Sequence, residues 1–227
     1  RIVFGKYLNC GQTCVAPDYI LVERSVKDEF LVYLKKWIVR MYGADATEND
    51  AYGKMINQKH FDRVTGLIDP EKVVFGGGWN ERTMQIQPTI LDDVTAEDAV
   101  MQEEIFGPIF PILPVDSMAE AEEFIRKREK PLALYLFTQN KALAERFLRY
   151  VPFGGGCIND TIIHLATSQM PFGGVGESGM GCYHGKEGFE CFTHQRSIVD
   201  KKTWMDLPIR YQKYRFWKEK MLRGFLR

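Results

Sequence analysis

Hydrophobic positions along this 227-residue chain switch repeatedly between two spacings. In "VKDEFLVYLKKWIVRMYG" (residues 26–43), Phe30, Tyr33, Leu34, Trp37, Ile38 and Met41 recur every three or four positions before a glycine. That spacing predicts an amphipathic helix with a glycine stop. The preceding run, "DYILVERS", has the composition of a strand. Next come a second helix in "NQKHFDRVTGLI", a short strand ending in a glycine turn in "KVVFGGG", and an extended segment around Pro88 in "MQIQPTILDDV". The segments "FPILPV", "SMAEAEEFIRKRE", "LALYLFT", "NKALAERFLRYV" and "GGGCIND" then read strand, helix, strand, helix, strand, with Ser117 placed to cap its helix. Such alternation implies an α/β fold, a mostly parallel open sheet flanked by helices.

Beyond Asp160 the pattern breaks into the glycine-rich "MPFGGVGESGMGCYHGKEGF". Phe, Met, Cys and Tyr interrupt its glycines, so ordered irregular backbone is expected rather than a flexible linker. The chain ends in "RYQKYRFWKEKMLRGFLR", where Trp217, Met221, Leu222 and Phe225 fall close to helical spacing. No internal repeat is apparent.

Charge changes the picture only at that end. Thirty Lys and Arg balance thirty Asp and Glu, so no global attraction to nucleic acid or membrane follows. From residue 207 onward, however, Arg210, Lys213, Arg215, Lys218, Lys220, Arg223 and Arg227 face only Glu219, a local charge of about +6. A cationic amphipathic helix packs on a partner subunit, lies solvated, or attaches peripherally to an anionic membrane; no apolar run is long enough to span one. The five cysteines, Cys10, Cys14, Cys157, Cys182 and Cys191, are odd in number and scattered, which fits a reducing, cytoplasmic compartment better than a disulfide framework. Neither they nor the four histidines show zinc-ligand spacing, and no metal site is expected.

Cys14, in "NCGQTCVAPDYILV", is the candidate for chemistry. A thiol nucleophile needs thiolate character, access and backbone donors aimed at a developing oxyanion. A turn after Gly11 and Gln12 can supply them, but on the residues alone a cysteine before Val and Ala reads as a buried small residue. The Glu103–Glu104 pair reads as a solvated face, and His60 as a structural or solvated helix residue. Asn159 reads as a turn tie, and Phe172 and Phe192 as core aromatics or as walls of an apolar pocket. His184 and Lys186 among glycines do not match a phosphate-binding loop.

Three ordered segments go further. "YLNCGQTCVAPDYILV" resembles the active-site segment of the aldehyde dehydrogenase superfamily, "EEIFGPIFPI" its cofactor-ribose segment, and "MPFGGVGESGMGCYHGKEGFECFTHQRSIV" its carboxy-terminal signature. "GQTCVAPDY" and "GMGCYHGKEGF" are most similar to the class 3 branch, which oxidises fatty, medium-chain and aromatic aldehydes. The resemblance implies Cys14 as nucleophile, with its own N–H as an oxyanion donor and Cys10 as a bystander that could form a disulfide with Cys14 only under oxidation. It implies Glu104 and Phe106 at the nicotinamide ribose and ring of NAD or NADP, His60, with Arg63 as a weaker candidate, at the adenosine ribose, and Asn159, Phe172 and Phe192 lining the substrate side. It further implies a homodimer. The family's glutamate base, asparagine oxyanion donor and Rossmann-like glycine turn lie upstream of the nucleophile and match nothing here. The expectation is therefore a catalytic domain over residues 1–199 without the cofactor-binding half, followed by a basic tail over 200–227. Such a piece is expected to be inactive alone; the other reading is a non-catalytic oligomerisation or interaction module of the same descent.

Overall fold

The computed structural model describes every residue except Pro208, Arg210, Gln212, Tyr214 and Arg227, so the basic positions Arg210 and Arg227 lie outside the described residues. It divides into residues 1–192 and residues 193–227. The first unit opens with α1 (Ile2–Tyr7) and continues through β1 (Ile20–Glu23), α2 (Lys27–Tyr42), α3 (Gln58–Thr65), β2 (Val73–Phe75), β3 (Trp79–Asn80), β4 (Gln85–Ile86) and β5 (Thr89–Leu91). Then follow β6 (Ile109–Val115), α4 (Met118–Arg126), β7 (Ala133–Leu136), α5 (Lys141–Tyr150), β8 (Gly155–Ile158) and α6 (Gly185–Cys191). Strands order β1-β6-β5-β2, with β1, β6 and β5 parallel and β2 antiparallel on β5. A second parallel pair is β7 with β8, and β3 and β4 form a small antiparallel pair. The expected mostly parallel, helix-flanked sheet is therefore present.

Local chemistry explains the elements. Ser117 caps α4 by accepting the Glu120 N–H at 3.2 Å, and Glu120 reaches back to the Asp116 N–H at 2.6 Å, a reciprocal cap that satisfies two otherwise orphaned donors. Asn57 and Asn140 cap α3 and α5 in the same sense. Strand β6 holds two prolines, Pro111 and Pro114, yet lies between β1 and β5. Proline removes a ladder donor and favours edges; here Ile109, Phe110 and Ile112 are fully buried, and hydrophobic burial outweighs the missing N–H groups. Two buried clusters result, a large one around β6 that includes Val3, Tyr7, Ile38, Phe61, Ile90 and Phe110, and a small one of Leu134, Leu136, Phe147 and Val151.

Residues 160–192 are irregular, as expected, apart from a 3-10 turn over Ile163–Leu165, the short α6 and isolated bridges between Phe172 and Tyr183 and between Gly176 and Gly179. The second unit is irregular as far as α7 (Phe216–Phe225), whose Phe216, Trp217, Met221 and Phe225 are exposed and whose Arg223 pairs with Glu219 at 2.8 Å. No helix among the described residues is long and apolar enough to cross a membrane.

Candidate active site

Cys14 sits on an exposed turn between α1 and β1. The chain leaves α1 through three successive left-handed residues, Asn9, Cys10 and Gly11, at φ of 53°, 57° and 75°. Asparagine and glycine accept that conformation readily; cysteine does so at a cost that the surroundings must offset. They do so by burying Cys10 completely and placing its Sγ 3.5 Å from the Tyr52 hydroxyl, and burial pushes the Cys10 thiol up to about 11. The two thiols of this segment thus differ in kind. Cys10 is a buried anchor, as a bystander should be, whereas Cys14 is open to solvent.

Gln12 fixes the turn from the other side. Its amide donates to the Asn9 carbonyl at 3.2 Å and the Lys54 carbonyl at 2.9 Å, and its Oε1 accepts the Ile56 N–H at 3.0 Å. Beyond Cys14, the Tyr135 hydroxyl of β7 donates to the Val15 carbonyl at 2.7 Å. Every side chain that holds the turn is therefore bonded to main chain, leaving the Cys14 side chain uncommitted.

Glu104 and Phe106 lie beside this turn. Gly11 makes the approach: a Cβ there would stand 2.3 Å from the Gly107 carbonyl oxygen, so only glycine lets the two loops touch. Gly107 in turn lies against Val64 of α3, where an added Cβ would come within 2.7 Å of its side chain. Arg63, one residue earlier on α3, pairs with Glu103 at 2.8 Å and donates to the carbonyls of Glu104 and Ile105. Asp18 completes the frame by accepting the Ile105 N–H at 3.1 Å. The Glu104 side chain is exposed and accepts no hydrogen bond from the described residues. Partial burial and the Asp18 charge raise its carboxyl above the usual range, against the opposing pull of Lys6 and Arg63. A free carboxylate in a rigid main-chain frame suits the vicinal hydroxyls of a ribose. Phe106, at φ 48°, presents a partly exposed ring next to it.

The remaining sequence candidates separate. His60 is exposed on the first turn of α3, where its backbone N–H takes the Asn57 cap at 3.0 Å. The Asn159 side chain is committed twice to Thr138, accepting its N–H and donating to its carbonyl, both at 2.8 Å; it ties the end of β8. Phe172 is partly buried among aromatic rings, stacked on His184 and edge-on to Tyr183, with His164 beside it. Phe192, at 90% exposed, belongs to no core.

Sequence reasoning did not single out Lys6, Asp18, Tyr135 or His164. Lys6 carried no local signal, since the six residues of α1 are too few to set a buried face by spacing. His164 approaches the Cys157 Sγ at 3.7 Å, and burial lowers its pKa. A recess of about 660 Å³ lined by Arg126, Lys130, Arg149 and Tyr150 contains none of the candidate residues. Among the described residues, no three His, Cys, Asp or Glu side chains are grouped to hold a metal ion.

Comparison with known proteins places this arrangement. Residues 1–198 match the model of the aldehyde dehydrogenase family. The chain is 49% identical over 217 residues to 4,4'-diaponeurosporen-aldehyde dehydrogenase of Staphylococcus aureus, covering 95% of this chain and 47% of that protein. It is 51% identical over 201 residues to a rat aldehyde dehydrogenase described as dimeric and NADP-preferring, covering 88% of this chain and 44% of that one. A solved structure of substrate-bound Staphylococcus aureus AldH superposes with a TM-score of 0.96 at 47% identity, over 100% of this chain and 50% of that one. The chain spans about half the length of these relatives.

Proposed function

The chain belongs to the aldehyde dehydrogenase family, and on that premise we propose that it is the nucleophile-bearing, carboxy-terminal half of an enzyme that oxidises aldehydes to carboxylates with NAD or NADP. The observation that carries the reading is the contact of Gly11 with Gly107, which sets the exposed Cys14 turn against the Glu104–Phe106 loop. One loop offers a nucleophile; the other offers a ribose acceptor and a ring surface.

In this reading the Cys14 thiolate adds to the aldehyde carbon, and the carbonyl π electrons move to oxygen. The Cys14 N–H donates to that oxyanion, a contribution of about 3 kcal/mol by the usual worth of one such donor. Glu104 holds the cofactor ribose and Phe106 packs near the nicotinamide ring, so that the Cys14-bound carbon and its acceptor share one orientation. The cofactor, when bound, supplies the hydride acceptor. Water then opens the thioester on Cys14, releasing carboxylate and regenerating the thiol. His60 has the weaker claim to the adenosine ribose; Phe172 is a substrate-side wall, and Asn159 acts there only by fixing the turn after β8.

The substrate class is apolar: fatty, medium-chain or aromatic aldehydes. The aromatic side chains around Phe172 support that class. The word dimeric in the name of the rat relative supports a homodimer. The 227-residue chain alone is inactive in this reading, because the family's glutamate-base segment matches nothing in its sequence; loss of such a base costs on the order of 10² or more in rate. The enzyme is cytoplasmic, with α7 giving peripheral contact to anionic membrane through Trp217, Met221 and its basic neighbours. Failure of the tail peptide to sediment with anionic liposomes at low salt would remove that part.

The deciding experiment measures aldehyde-dependent NADH or NADPH formation by the full-length protein carrying this chain, beside its Cys14→Ala variant. Activity that disappears in the variant supports the proposal. A folded, cofactor-binding full-length protein inactive on aliphatic and aromatic aldehydes would instead favour a non-catalytic oligomerisation module.

A further inference from the structure

Arg63 has by resemblance a weak claim to the adenosine ribose, and its hydrogen bonds point elsewhere. One terminal nitrogen donates to the Glu103 carboxylate at 2.8 Å and to the Glu104 carbonyl at 3.3 Å, and the other donates to the Ile105 carbonyl. One guanidinium thus takes three consecutive residues of the loop, a grip that suits a planar fork of donors and not a lysine ammonium. The Ile105 peptide is held from both sides, since Asp18 accepts its N–H at 3.1 Å. The next residue, Phe106, sits at φ 48°, a left-handed conformation that phenylalanine keeps where its surroundings impose it. The helix that carries Arg63 is also tied to the nucleophile. Gln12 donates to the Lys54 carbonyl at 2.9 Å and accepts the Ile56 N–H at 3.0 Å, and Asn57, the cap of α3, follows directly. Buried Val64 lies against Gly107, and Gly107 against Gly11. The Cys14 turn, α3 and the Glu104 loop therefore close a circuit, and Arg63 supplies its grip on the loop.

We propose that Arg63 is a positioning residue for the nicotinamide half of the cofactor: by holding the main chain of residues 103–105 on α3 it fixes where Glu104 and Phe106 stand, and it takes no part in binding the adenosine half. This rests on the reading of Glu104 and Phe106 given above. Without the fork, the Glu104 and Ile105 carbonyls lose their donors and Phe106 is free to leave its positive φ. Glu104 and Phe106 then no longer present one surface to the nicotinamide ribose and ring, while the adenosine side is untouched. A residue that contacts the adenosine ribose would act on the opposite half, so the two roles make opposite demands on cofactor fragments.

The test titrates the full-length protein calorimetrically with two probes, NAD or NADP, which spans both halves of the site, and adenosine monophosphate, which carries the adenosine ribose alone. In Arg63→Lys, which keeps the charge and loses the fork, the dissociation constant for the dinucleotide rises about tenfold, the scale of a lost charge-assisted hydrogen bond. Binding of adenosine monophosphate stays native, and the single-turnover rate of NADH or NADPH formation falls by about tenfold or more, as small misplacements of reacting groups do. An arginine on the adenosine ribose would weaken both probes by the same factor. One that merely props the fold would lower the melting temperature and leave both affinities native in the folded protein. Either result overturns the proposal. Should Arg63→Lys fail to fold, the same two affinities are read in Glu103→Gln, whose exposed side chain spares the core and whose loss removes the ion pair that seats the guanidinium. A loss of about threefold for the dinucleotide alone supports the proposal, and unchanged or equal losses overturn it. Glu104→Gln separates the two layers. Native dinucleotide binding and single-turnover rate in Glu104→Gln refute the role given to Glu104 and, with it, the task assigned to Arg63. Weak binding by Glu104→Gln alongside native binding by Arg63→Lys refutes the arginine alone.

Discussion

The two parallel sheets of the first unit are built to different depths. Around β6, two layers of buried side chains from α1, α2, α3 and three strands meet, and the loops above them are tied through main chain by Gln12, Asp18 and Arg63. The β7–β8 pair buries only Leu134, Leu136, Phe147 and Val151. It joins the larger body through α4, whose Phe124 packs on the large cluster and whose Met118 and Ile125 pack on the small one, and through contacts such as the Tyr135 hydroxyl on Val15, the Thr161 hydroxyl on the Arg1 carbonyl, and the close fit of Gly5 against Thr161. The difference teaches where precision is placed. The candidate nucleophile and the Glu104–Phe106 loop stand on the deep core; the aromatic cluster around Phe172 stands on the shallow one.

The largest effect that contrasts the two regions is chemical. Cys14→Ala should lower the aldehyde-dependent rate of the full-length protein by at least about 10³-fold, whereas Cys157→Ala on β8 should leave it within about twofold, as steady-state assays of both would show. Next comes the seam between the loops. Gly11→Ala introduces a Cβ against the Gly107 oxygen at a positive φ, so denaturant unfolding should record a loss of about 3 kcal/mol or more, together with weaker cofactor binding. Phe147→Ala empties the shallow core and should cost roughly 3 kcal/mol, yet the alkylation rate of Cys14 in the folded protein should stay near native. If that rate collapses, the two regions are not separable. The smallest change is Tyr135→Phe, which removes one buried hydrogen bond to Val15 and should cost about 1 kcal/mol. Its informative readout is hydrogen exchange around residues 13–16, expected to quicken there and nowhere on β6.

Much of the architecture could be read from periodicity. Strand β1 and helix α2, the cap at Ser117, and the strands and helices from β6 to β8 all follow from apolar spacing and turn residues. Helix α1 escaped notice because six residues with Gly5 in the middle give too little periodic signal. The segment at β6 read as a strand despite its prolines, but its place at the centre of the sheet follows only from tertiary burial. The reactive turn announced itself by resemblance, since Cys10 and Cys14 look alike in composition and differ only in how the chain folds around them. What could not be read were the long-range meetings, Gly11 on Gly107, Arg63 on the Glu104 and Ile105 carbonyls, and Asp18 on the Ile105 N–H, because no local rule pairs residues so far apart in sequence.

The loop that carries Glu104 and Phe106 keeps its path through partners that grip peptide groups: Asp18 on an N–H, Arg63 on two carbonyls. Peptide groups are the same whatever side chains they bear. The frame is therefore indifferent to its contents, and substitutions at Glu104 or Phe106 alter what the loop presents while leaving its course intact. For protein engineering this makes the segment a replaceable cassette, where two side chains can be changed on a backbone that other residues hold still.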